Sequence, residues 1–540
     1  MMEAEFMSVL DERLAALGRG RRHVAVEGEN LGTVALRRLR EDPHRVVVAD
    51  AQRVLTRADM VDAARRLGGS LLSRGLAPGS VVAFQLPNWW EACVVNLAAA
   101  LFGFRLVPLL TIYRAAELST IFRACGVDAL FIPESHRGVD FPALVGALLE
   151  RPAHVLTVRG ARTAGPDTFE AMLGHQPASP QPAAPGDVKM VLFTSGSTGR
   201  PKGVMHSHAA IDALIRSTGA FWRIGADDRL FVPSPIGHIG GSIYAFEFPW
   251  ITGCVAHLAD GWDPDAAVGV IDRHGATFMA GATPFLAGLL AAAERAGTTL
   301  PGLRRFVCGG ASVPPELVTR ALARFPSATV SRAYGSTEVP LVCPGVRERA
   351  EAGLRATTDG ECTAELRLLG EDDTPVAEGS PGEIAVRAPH MLLGYLDPAD
   401  EEGCFTGDGF FRMGDLGRLV DGRFLEITGR KKDIIIRKGE NISPLEIENA
   451  LARHPGVRQS AVVGMPDAER GEMVVAVVLP ADGAGFDFAE MTRHLQTLGL
   501  ARQKFPERLH LVDAMPMTTV GKIDKKDLRA MVAETEGVGS

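Results

Sequence analysis

The stretch LFTSGSTGRPKGVMHSH (Leu192–His208) carries the densest run of reactive and anion-binding groups in this sequence. It continues an apolar run that begins at Met190 and that is typical of the end of a buried strand. Between Thr194 and Lys202 nearly every side chain is a hydroxyl, absent or cationic. Glycine lets backbone N–H groups turn towards a ligand, and hydroxyl and cationic groups bind anions. This is the composition of a loop that holds a polyphosphate.

The spacing differs from that of the common P-loop. The pattern GxxxxGK[ST] needs glycine directly before its lysine, whereas Pro201 precedes Lys202 here and Gly203 follows it. A surface turn rich in serine and glycine is the plainer interpretation, so residue types alone leave both open. The residues expected to contact phosphate are Thr194, Ser195, Gly196, Ser197, Thr198, Gly199 and Lys202, with Arg200 adding charge.

Composition narrows the class of protein. A chain of 540 residues is too long for one ordinary core, which predicts at least two domains. A net charge of −8 provides no global basic field for nucleic acid. The N-terminus lacks a signal-peptide pattern, and the apolar stretch 94–110 is interrupted by Asn96 and Arg105, which argues against a membrane span. Seven scattered cysteines predict no disulfide framework, and hence a cytoplasmic protein.

The order of elements indicates an α/β fold. Thr56 and Asp59 can cap a helix that runs to about Ser73, and buried strands are expected at 81–86 and 105–108. Alternation of this kind predicts βαβ units and a parallel sheet. The last ~110 residues have the pattern of a small α+β unit, with helices near 444–453 and 488–498. We therefore predict domains at 1–429 and 434–540, joined by a hinge at 430–433.

The loop string resembles the phosphate-binding signature of the adenylate-forming superfamily, which contains acyl- and aryl-CoA ligases, adenylation domains and luciferases. Further strings at 334–338, 414–415, 429–448 and 516–523 resemble the superfamily's other signatures and occur in its order. The resemblance covers essentially the whole chain. It implies a large N-terminal domain of α/β subdomains with mixed or parallel sheets, and a small mobile α+β C-terminal domain. It also implies ATP, Mg²⁺ and CoA as cofactor and co-substrates.

The same resemblance implies roles at the nucleotide. Tyr334 offers a ring face to adenine, Thr337 a hydroxyl to the α-phosphate, and Glu338 a hard oxygen to Mg²⁺, with Thr194 as a second metal contact. Asp415 can accept both ribose hydroxyls, as a strand-end acidic residue does in other nucleotide sites. The further nucleotide-binding residues that it implies are Gly309, Gly310, Ala311, Gly335 and Arg430.

The acid pocket is expected around the loop PSPIGHIGG. The prolines and glycines predict an irregular segment that places His238 on a loop before a helix at about Ser242–Trp250. The resemblance implies that His238 lines the acyl pocket and gates the second substrate. Ile239 replaces the asparagine found in ligases for dihydroxybenzoate, which disfavours that acid, and Gly240 and Gly241 leave room for a bulky apolar acid. The local sequence around this loop most resembles that of medium-chain, alicyclic or aryl acyl-CoA ligases.

The resemblance also assigns residues of the C-terminal unit. Lys432 is the expected hinge, the turn Lys438–Gly439 lies beside the CoA channel in the thioester-forming state, and Lys522 bridges the acid and the α-phosphate during adenylation. The expected reaction is acid plus ATP to acyl-AMP and pyrophosphate, followed by transfer to CoA. Loading of a separate carrier protein and a non-catalytic nucleotide-binding protein stay open as alternatives. A serine hydrolase is excluded because no GxSxG elbow occurs. The sequence fixes no oligomeric state, a homodimer being one option.

Overall fold

The computed structural model describes residues 10, 12–14, 27–160, 165–195, 200–467, 469–481, 483, 485–517 and 523–535. The strands, numbered along the chain, are β1 (Val46–Ala49), β2 (Val54–Thr56), β3 (Val81–Phe84), β4 (Arg105–Pro108), β5 (Ala129–Pro133), β6 (Ser135–His136), β7 (Val139–Asp140), β8 (His154–Val158), β9 (Val188–Ser195), β10 (Pro201–Ser207), β11 (Arg229–Val232), β12 (Val255–Leu258), β13 (Phe278–Gly281), β14 (Arg305–Gly309), β15 (Thr329–Ala333), β16 (Glu365–Leu369), β17 (Gly382–Arg387), β18 (Gly394–Tyr395), β19 (Phe411–Val420), β20 (Phe424–Arg430), β21 (Ile435–Arg437), β22 (Glu440–Ile442), β23 (Val457–Asp467), β24 (Gly471–Pro480) and β25 (Arg508–Leu511).

Helices alternate with these strands through most of the chain. The α-helices span Leu31–Glu41, Arg57–Ser73, Trp90–Phe102, Ala115–Cys125, Phe141–Gly146, Phe169–Met172, His208–Trp222, Ile239–Phe246, Phe248–Thr252, Pro264–His274, Thr283–Ala296, Pro315–Arg324, Arg349–Leu354, Pro444–Leu451, Phe488–Thr497 and Lys525–Thr535. Short 3₁₀ helices span Pro398–Glu401, Lys431–Asp433 and Arg502–Lys504. In the described part of the chain, no helix combines the length and the apolar character that crossing a membrane requires.

Two seven-stranded sheets form the large N-terminal unit. The first has the order β15-β14-β13-β11-β12-β1-β2 and is parallel except for the edge strand β2. The second has the order β18-β10-β9-β4-β3-β5-β8, in which β9, β10 and β18 are joined antiparallel. Helices Trp90–Phe102 and Ile239–Phe246 pack against each other, one on each sheet, so that the main apolar core lies between the two sheets.

Two smaller sheets complete the fold. The third, β16-β17-β19-β20, is wholly antiparallel and ends at Arg430. The C-terminal sheet has the order β22-β21-β24-β23, with β25 added parallel to β24. Separate apolar clusters lie on its two faces, one against helices Pro444–Leu451 and Phe488–Thr497 and one against helix Lys525–Thr535. These clusters give the C-terminal unit a core of its own.

Local chemistry explains several predicted boundaries. Thr56 caps the helix Arg57–Ser73 through a capping box with Asp59, as the sequence predicts. The stretch expected to be a buried helix and strand is the wholly buried helix Trp90–Phe102 followed by β4, and Gly103 ends that helix with φ +68°. The predicted start at Ser242 is wrong: the helix begins at Ile239 and takes His238 as its N-cap. The predicted hinge falls at the 3₁₀ helix Lys431–Asp433, between β20 and β21.

Candidate active site

The β9–β10 hairpin positions the predicted phosphate loop. The two strands pair with Thr194 opposite Lys202, so a hydroxyl and an ammonium stand side by side where the loop leaves the sheet. Gly196, Ser197, Thr198 and Gly199 lie outside the described residues, as does the side chain of Ser195, and their phosphate contacts stay predictions.

Tyr395 joins this hairpin to the predicted metal ligand. Strand β18 pairs with β10 so that Tyr395 lies opposite Val204. The Tyr395 hydroxyl donates to Oε1 of Glu338 at 2.7 Å, and its ring centroid lies 5.5 Å from Nζ of Lys202. Burial, followed by the nearby Glu338 carboxylate, raises the pKa of Tyr395 far above its usual value. The phenol therefore stays protonated, and Tyr395 contacts both the Glu338 carboxylate and the Lys202 ammonium.

Tyr334 and Asp415 form a second cluster at the carboxyl end of β15. The Tyr334 hydroxyl donates to Oδ2 of Asp415 at 2.7 Å. Asp415 pairs with Arg430 across β19 and β20, and the guanidinium Nε lies 3.8 Å from the other carboxylate oxygen. Burial, followed by Asp415, raises the pKa of Tyr334 well above its usual value. Asp415 lies within β19 and not at a strand end, as the sequence analysis expected, but a carboxylate held between a phenol and a cation is still suited to accept hydroxyl donors from a ribose.

Glycine is required near Tyr334 for two different structural reasons. A Cβ at Gly335 would lie 2.3 Å from the Leu341 nitrogen, and one at Gly309 would lie 2.6 Å from the Ala333 oxygen, so neighbouring backbone demands glycine at both positions. Gly310 differs because it has φ +83° and faces open space. It follows the end of β14, next to the strand that leads into Tyr334. The segment predicted to border adenine therefore lies beside the predicted adenine-facing tyrosine.

Buried polar groups lock these strand ends in place. His206, on β10, bonds through Nε2 to the Thr337 carbonyl oxygen at 2.8 Å. Burial lowers the pKa of His206 to about 4, so the ring is neutral and Nε2 carries the donated proton. Arg332 and Asp359 form a buried ion pair at 2.7 Å, and Asp359 also accepts the Ile427 N–H of β20. These contacts fix Thr337 and join β15 to β20.

The predicted acid-pocket residues occupy the first turn of a helix. His238 accepts the Gly240 N–H at its own Nδ1, 3.1 Å away, and so caps the helix N-terminus. A Cβ at Gly241 would lie 2.2 Å from the Pro235 oxygen, so backbone fills the space that the sequence analysis reserved for a bulky acid. At Gly240 a Cβ would approach only the His238 ring. The side chain of Ile239 is buried in the main core.

Of the C-terminal residues predicted to take part in the reaction, the structure describes Lys432, Lys438 and Gly439. Lys432 lies exposed in the 3₁₀ helix after β20. Lys438 and Gly439 form the exposed β21–β22 turn with φ of +51° and +81°, which matches a left-handed hairpin turn. Lys522 lies outside the described residues. The C-terminal unit contacts the large unit through Arg453, whose Nε lies 3.1 Å from Oε1 of Glu316.

Sequence reasoning missed two residues of this site, Tyr395 and Asp400. Asp400 forms ion pairs with both cations of the phosphate loop, Lys202 at 3.2 Å and Arg200 at 3.0 Å. Both residues follow the loop by almost 200 positions, and no spacing in the sequence connects them to it. Among the described residues, no group of three or more His, Cys, Asp or Glu side chains could hold a metal ion. A magnesium site built on Glu338 would therefore rely on substrate and water oxygens, as Mg²⁺ sites commonly do.

Residues 36–396 match the sequence model of the AMP-binding enzyme family, and residues 446–522 match that of the AMP-binding enzyme C-terminal domain. The chain is 32% identical over 499 residues to a medium-chain fatty-acid–CoA ligase of Escherichia coli (strain K12), covering 90% of this chain and 88% of the relative.

Two further proteins are similar over nearly the whole chain. A salicyl-AMP ligase/salicyl-S-ArCP synthetase of Mycobacterium tuberculosis (strain ATCC 25618 / H37Rv) is 32% identical over 515 residues, covering 92% of this chain and 90% of that protein. The crystal structure of ATP-bound MatB from Rhodopseudomonas palustris superposes with a TM-score of 0.83 at 29% identity, covering 94% of this chain and 100% of that one. The fold of MatB thus matches that of this chain over nearly its whole length.

Proposed function

This chain belongs to the AMP-binding enzyme family, and we propose that it is an ATP-dependent acyl-CoA ligase, an acid–thiol ligase that works through acyl-AMP. One observation carries the proposal: Tyr395 brings Lys202 of the phosphate loop and Glu338 together. Tyr334 and Asp415 pair at the carboxyl end of β15. Lys202, a carboxylate suited to a metal ion (Glu338) and a carboxylate suited to a ribose (Asp415) thus belong to neighbouring parts of the large unit. A nucleoside triphosphate requires groups of these three kinds.

In the first reaction, a carboxylate oxygen of the acid attacks the α-phosphorus of ATP. The bond from the α-phosphorus to the β-phosphate oxygen breaks, and pyrophosphate leaves. Two anions must approach each other, so this step depends on positive charge placed in advance. Lys202 and Arg200 supply it at the departing phosphates, Thr337 offers its hydroxyl to the α-phosphate, and Lys522 is the proposed cation between acid and phosphate.

Glu338 fits Mg²⁺ because its hard carboxylate oxygens are only partly buried and one is fixed by Tyr395. Bound there together with Thr194, the ion would neutralise phosphate charge. Asp415 and Arg430 hold the ribose, and Tyr334 with Gly309, Gly310 and Ala311 borders the base.

In the second reaction, the thiol sulfur of CoA attacks the acyl carbonyl carbon, AMP leaves and the thiol proton is released. We propose that the unit 434–540 rotates about Lys432 between the two steps. Rotation would exchange Lys522 for the turn Lys438–Gly439 at the reaction centre. The geometry of that turn supports this role, because it lies exposed at the tip of the β21–β22 hairpin. Hinged domains that alternate in this way are a known class of motion.

The proposed acid is apolar: a medium-chain, alicyclic or aryl carboxylic acid. The 32% identity to a medium-chain fatty-acid–CoA ligase supports an apolar acid. We further propose that the protein works in the cytoplasm, since all seven cysteines are free thiols.

Pyrophosphate release and thioester formation test the function together. The purified protein is supplied with MgATP and a panel of hexanoate, octanoate, cyclohexanecarboxylate, benzoate and salicylate, with and without CoA. We expect acid-dependent pyrophosphate release, and a CoA thioester by mass spectrometry for at least one apolar acid. Pyrophosphate release without any CoA thioester would contradict CoA as the acceptor, and no acid-dependent release would contradict adenylation.

A second candidate is an acyl- or aryl-AMP ligase that loads the phosphopantetheine of a separate carrier protein. The 32% identity to a salicyl-S-ArCP synthetase favours it specifically. Both candidates share the first reaction and differ only in the thiol. Acyl transfer to a phosphopantetheinylated carrier protein but not to CoA would select this candidate.

A further inference from the structure

The segment after β18 forms an acidic turn (Asp397–Glu401) that lies against the phosphate loop. Asp400 sits inside it with only 8% of its surface exposed. One carboxylate oxygen, Oδ1, lies 3.0 Å from Nη2 of Arg200 and 3.2 Å from Nζ of Lys202. Asp397 adds a second contact to the same guanidinium, at 2.9 Å. Both cations of the loop are thus held by carboxylates of the protein itself.

The Asp400 carboxylate has no other side-chain role that the described residues reveal. Its Oδ2 is buried without a hydrogen-bond partner among them. The turn itself is held by other groups: Asp397 accepts the Ala399 N–H, and Glu401 accepts the Tyr395 N–H and binds Arg13. The shape of the turn therefore does not depend on the Asp400 carboxylate, whereas the charge balance of the loop does.

A polyphosphate and Asp400 compete for the same two cations. A phosphate oxygen that binds Lys202 or Arg200 must share them with Oδ1 or displace it. A buried carboxylate that loses its cations is strongly disfavoured, and Oδ2 of Asp400 already lacks a hydrogen-bond partner among the described residues. Displacing Asp400 therefore weakens the binding of every anion that enters, and the ion pairs re-form when that anion leaves.

We propose that Asp400 is a positioning residue that keeps Arg200 and Lys202 paired, weakens polyphosphate binding and so promotes release of pyrophosphate. This inference rests on the proposed function of the loop. Its sign is distinctive: removing the Asp400 charge should tighten the binding of ATP and pyrophosphate. A residue that merely supported the fold would weaken binding when it is replaced.

The test is Asp400→Asn, which keeps the side-chain shape and removes the charge. Calorimetric titration with inorganic pyrophosphate and with MgATP should show dissociation constants about tenfold lower than those of the wild type, the scale expected for losing one competing charge at close range. Turnover should fall, and product inhibition by pyrophosphate should become stronger. Weaker or unchanged binding of pyrophosphate by Asp400→Asn would overturn the inference.

Two variants control for folding and for net charge. Asp400→Glu keeps a carboxylate at this position and should bind pyrophosphate with wild-type affinity. Asp397→Asn removes an equal charge from the same turn, but that side chain is 43% exposed and contacts only Arg200 among the loop cations, so it should tighten binding by less. Equal tightening by both Asn variants would overturn the role assigned to Asp400. Wild-type protein that binds neither ligand would instead overturn the proposed function of the loop.

Discussion

Replacing Asp359 by asparagine probes its buried ion pair with Arg332, which joins β15 to β20 beside Tyr334 and Asp415. Arg332 donates through Nε and Nη2 to Oδ1 of Asp359 at 3.0 and 2.7 Å, and the Ile427 N–H donates to Oδ2 at 3.0 Å. Arg332 is 5% exposed and Asp359 is 7% exposed. Asparagine keeps the shape but removes the charge, leaving the guanidinium buried without a counter-ion. We expect the free energy of unfolding to fall by about 3–5 kcal/mol.

A surface pair provides the matched control. Asp421 pairs with Arg355 in the same unit, but its side chain is 62% exposed. Exposed pairs contribute less than about 1 kcal/mol, so Asp421→Asn should change stability little. Its backbone also has φ +51°, a conformation that asparagine adopts more readily than most residues.

Urea denaturation followed by tryptophan fluorescence measures both variants. All five tryptophans (Trp89, Trp90, Trp222, Trp250 and Trp262) lie before Arg430, so the signal reports unfolding of the large unit. A loss below about 1 kcal/mol for Asp359→Asn would refute the reasoning. The double variant Arg332→Met/Asp359→Leu should be more stable than Asp359→Asn, because no unpaired charge remains. Equal stability of the two would refute it as well.

Three further predictions concern the reaction cycle and the response to pH. Lys522→Ala should abolish acyl-AMP formation but leave thioester formation from supplied acyl-AMP largely intact, and equal loss of both half-reactions would contradict its assigned role. Lys432→Pro should do the reverse, measured by the same two assays, and an unaffected second step would remove it from the hinge. His208 is buried, which lowers the pKa of its ring to about 3 from an ordinary 6.5. His208 therefore leaves the free energy of unfolding unchanged above pH 6.5. As pH falls from 6.5 towards 3, the unfolded state takes up a proton that the folded state does not, and the free energy of unfolding falls by about 1.4 kcal/mol per pH unit. Between pH 7 and pH 5, His208→Leu should lose about 2 kcal/mol less unfolding free energy than wild type, and equal losses in urea titrations would contradict this.

Sequence alone predicted those parts of the fold in which the decisive groups are neighbours along the chain. The capping box at Thr56 and Asp59 and the turn Lys438–Gly439 are of this kind. The helix at Ile239 was misjudged because two glycines there were taken as helix breakers. Gly241 instead permits the close approach of its helix to the Pro235 carbonyl, a tertiary constraint that propensity does not contain.

The site shows the same division. Glu338 and Asp415 were predicted as candidate site residues because each lies in a recognisable string, and their roles at the metal and the ribose stay predictions. Tyr395 and Asp400 could not, since their partners Glu338 and Lys202 come to them only when β18 pairs with β10. Their side chains carry chemistry common to many surface turns. Only the pairing of strands far apart in sequence distinguishes them.

The position of β1 in the first large sheet has a consequence for synthesis of the chain. Its parallel neighbour is β12, where Val48 pairs with Ala256, so the β1–β2 hairpin leaves the ribosome long before the strand that covers its edge. At translation rates of about 5–20 residues per second, that edge waits roughly 10–40 s for its partner. An uncovered strand edge invites pairing with other chains. Yield of native protein should therefore respond to chaperone supply and growth temperature more than its mature stability would suggest.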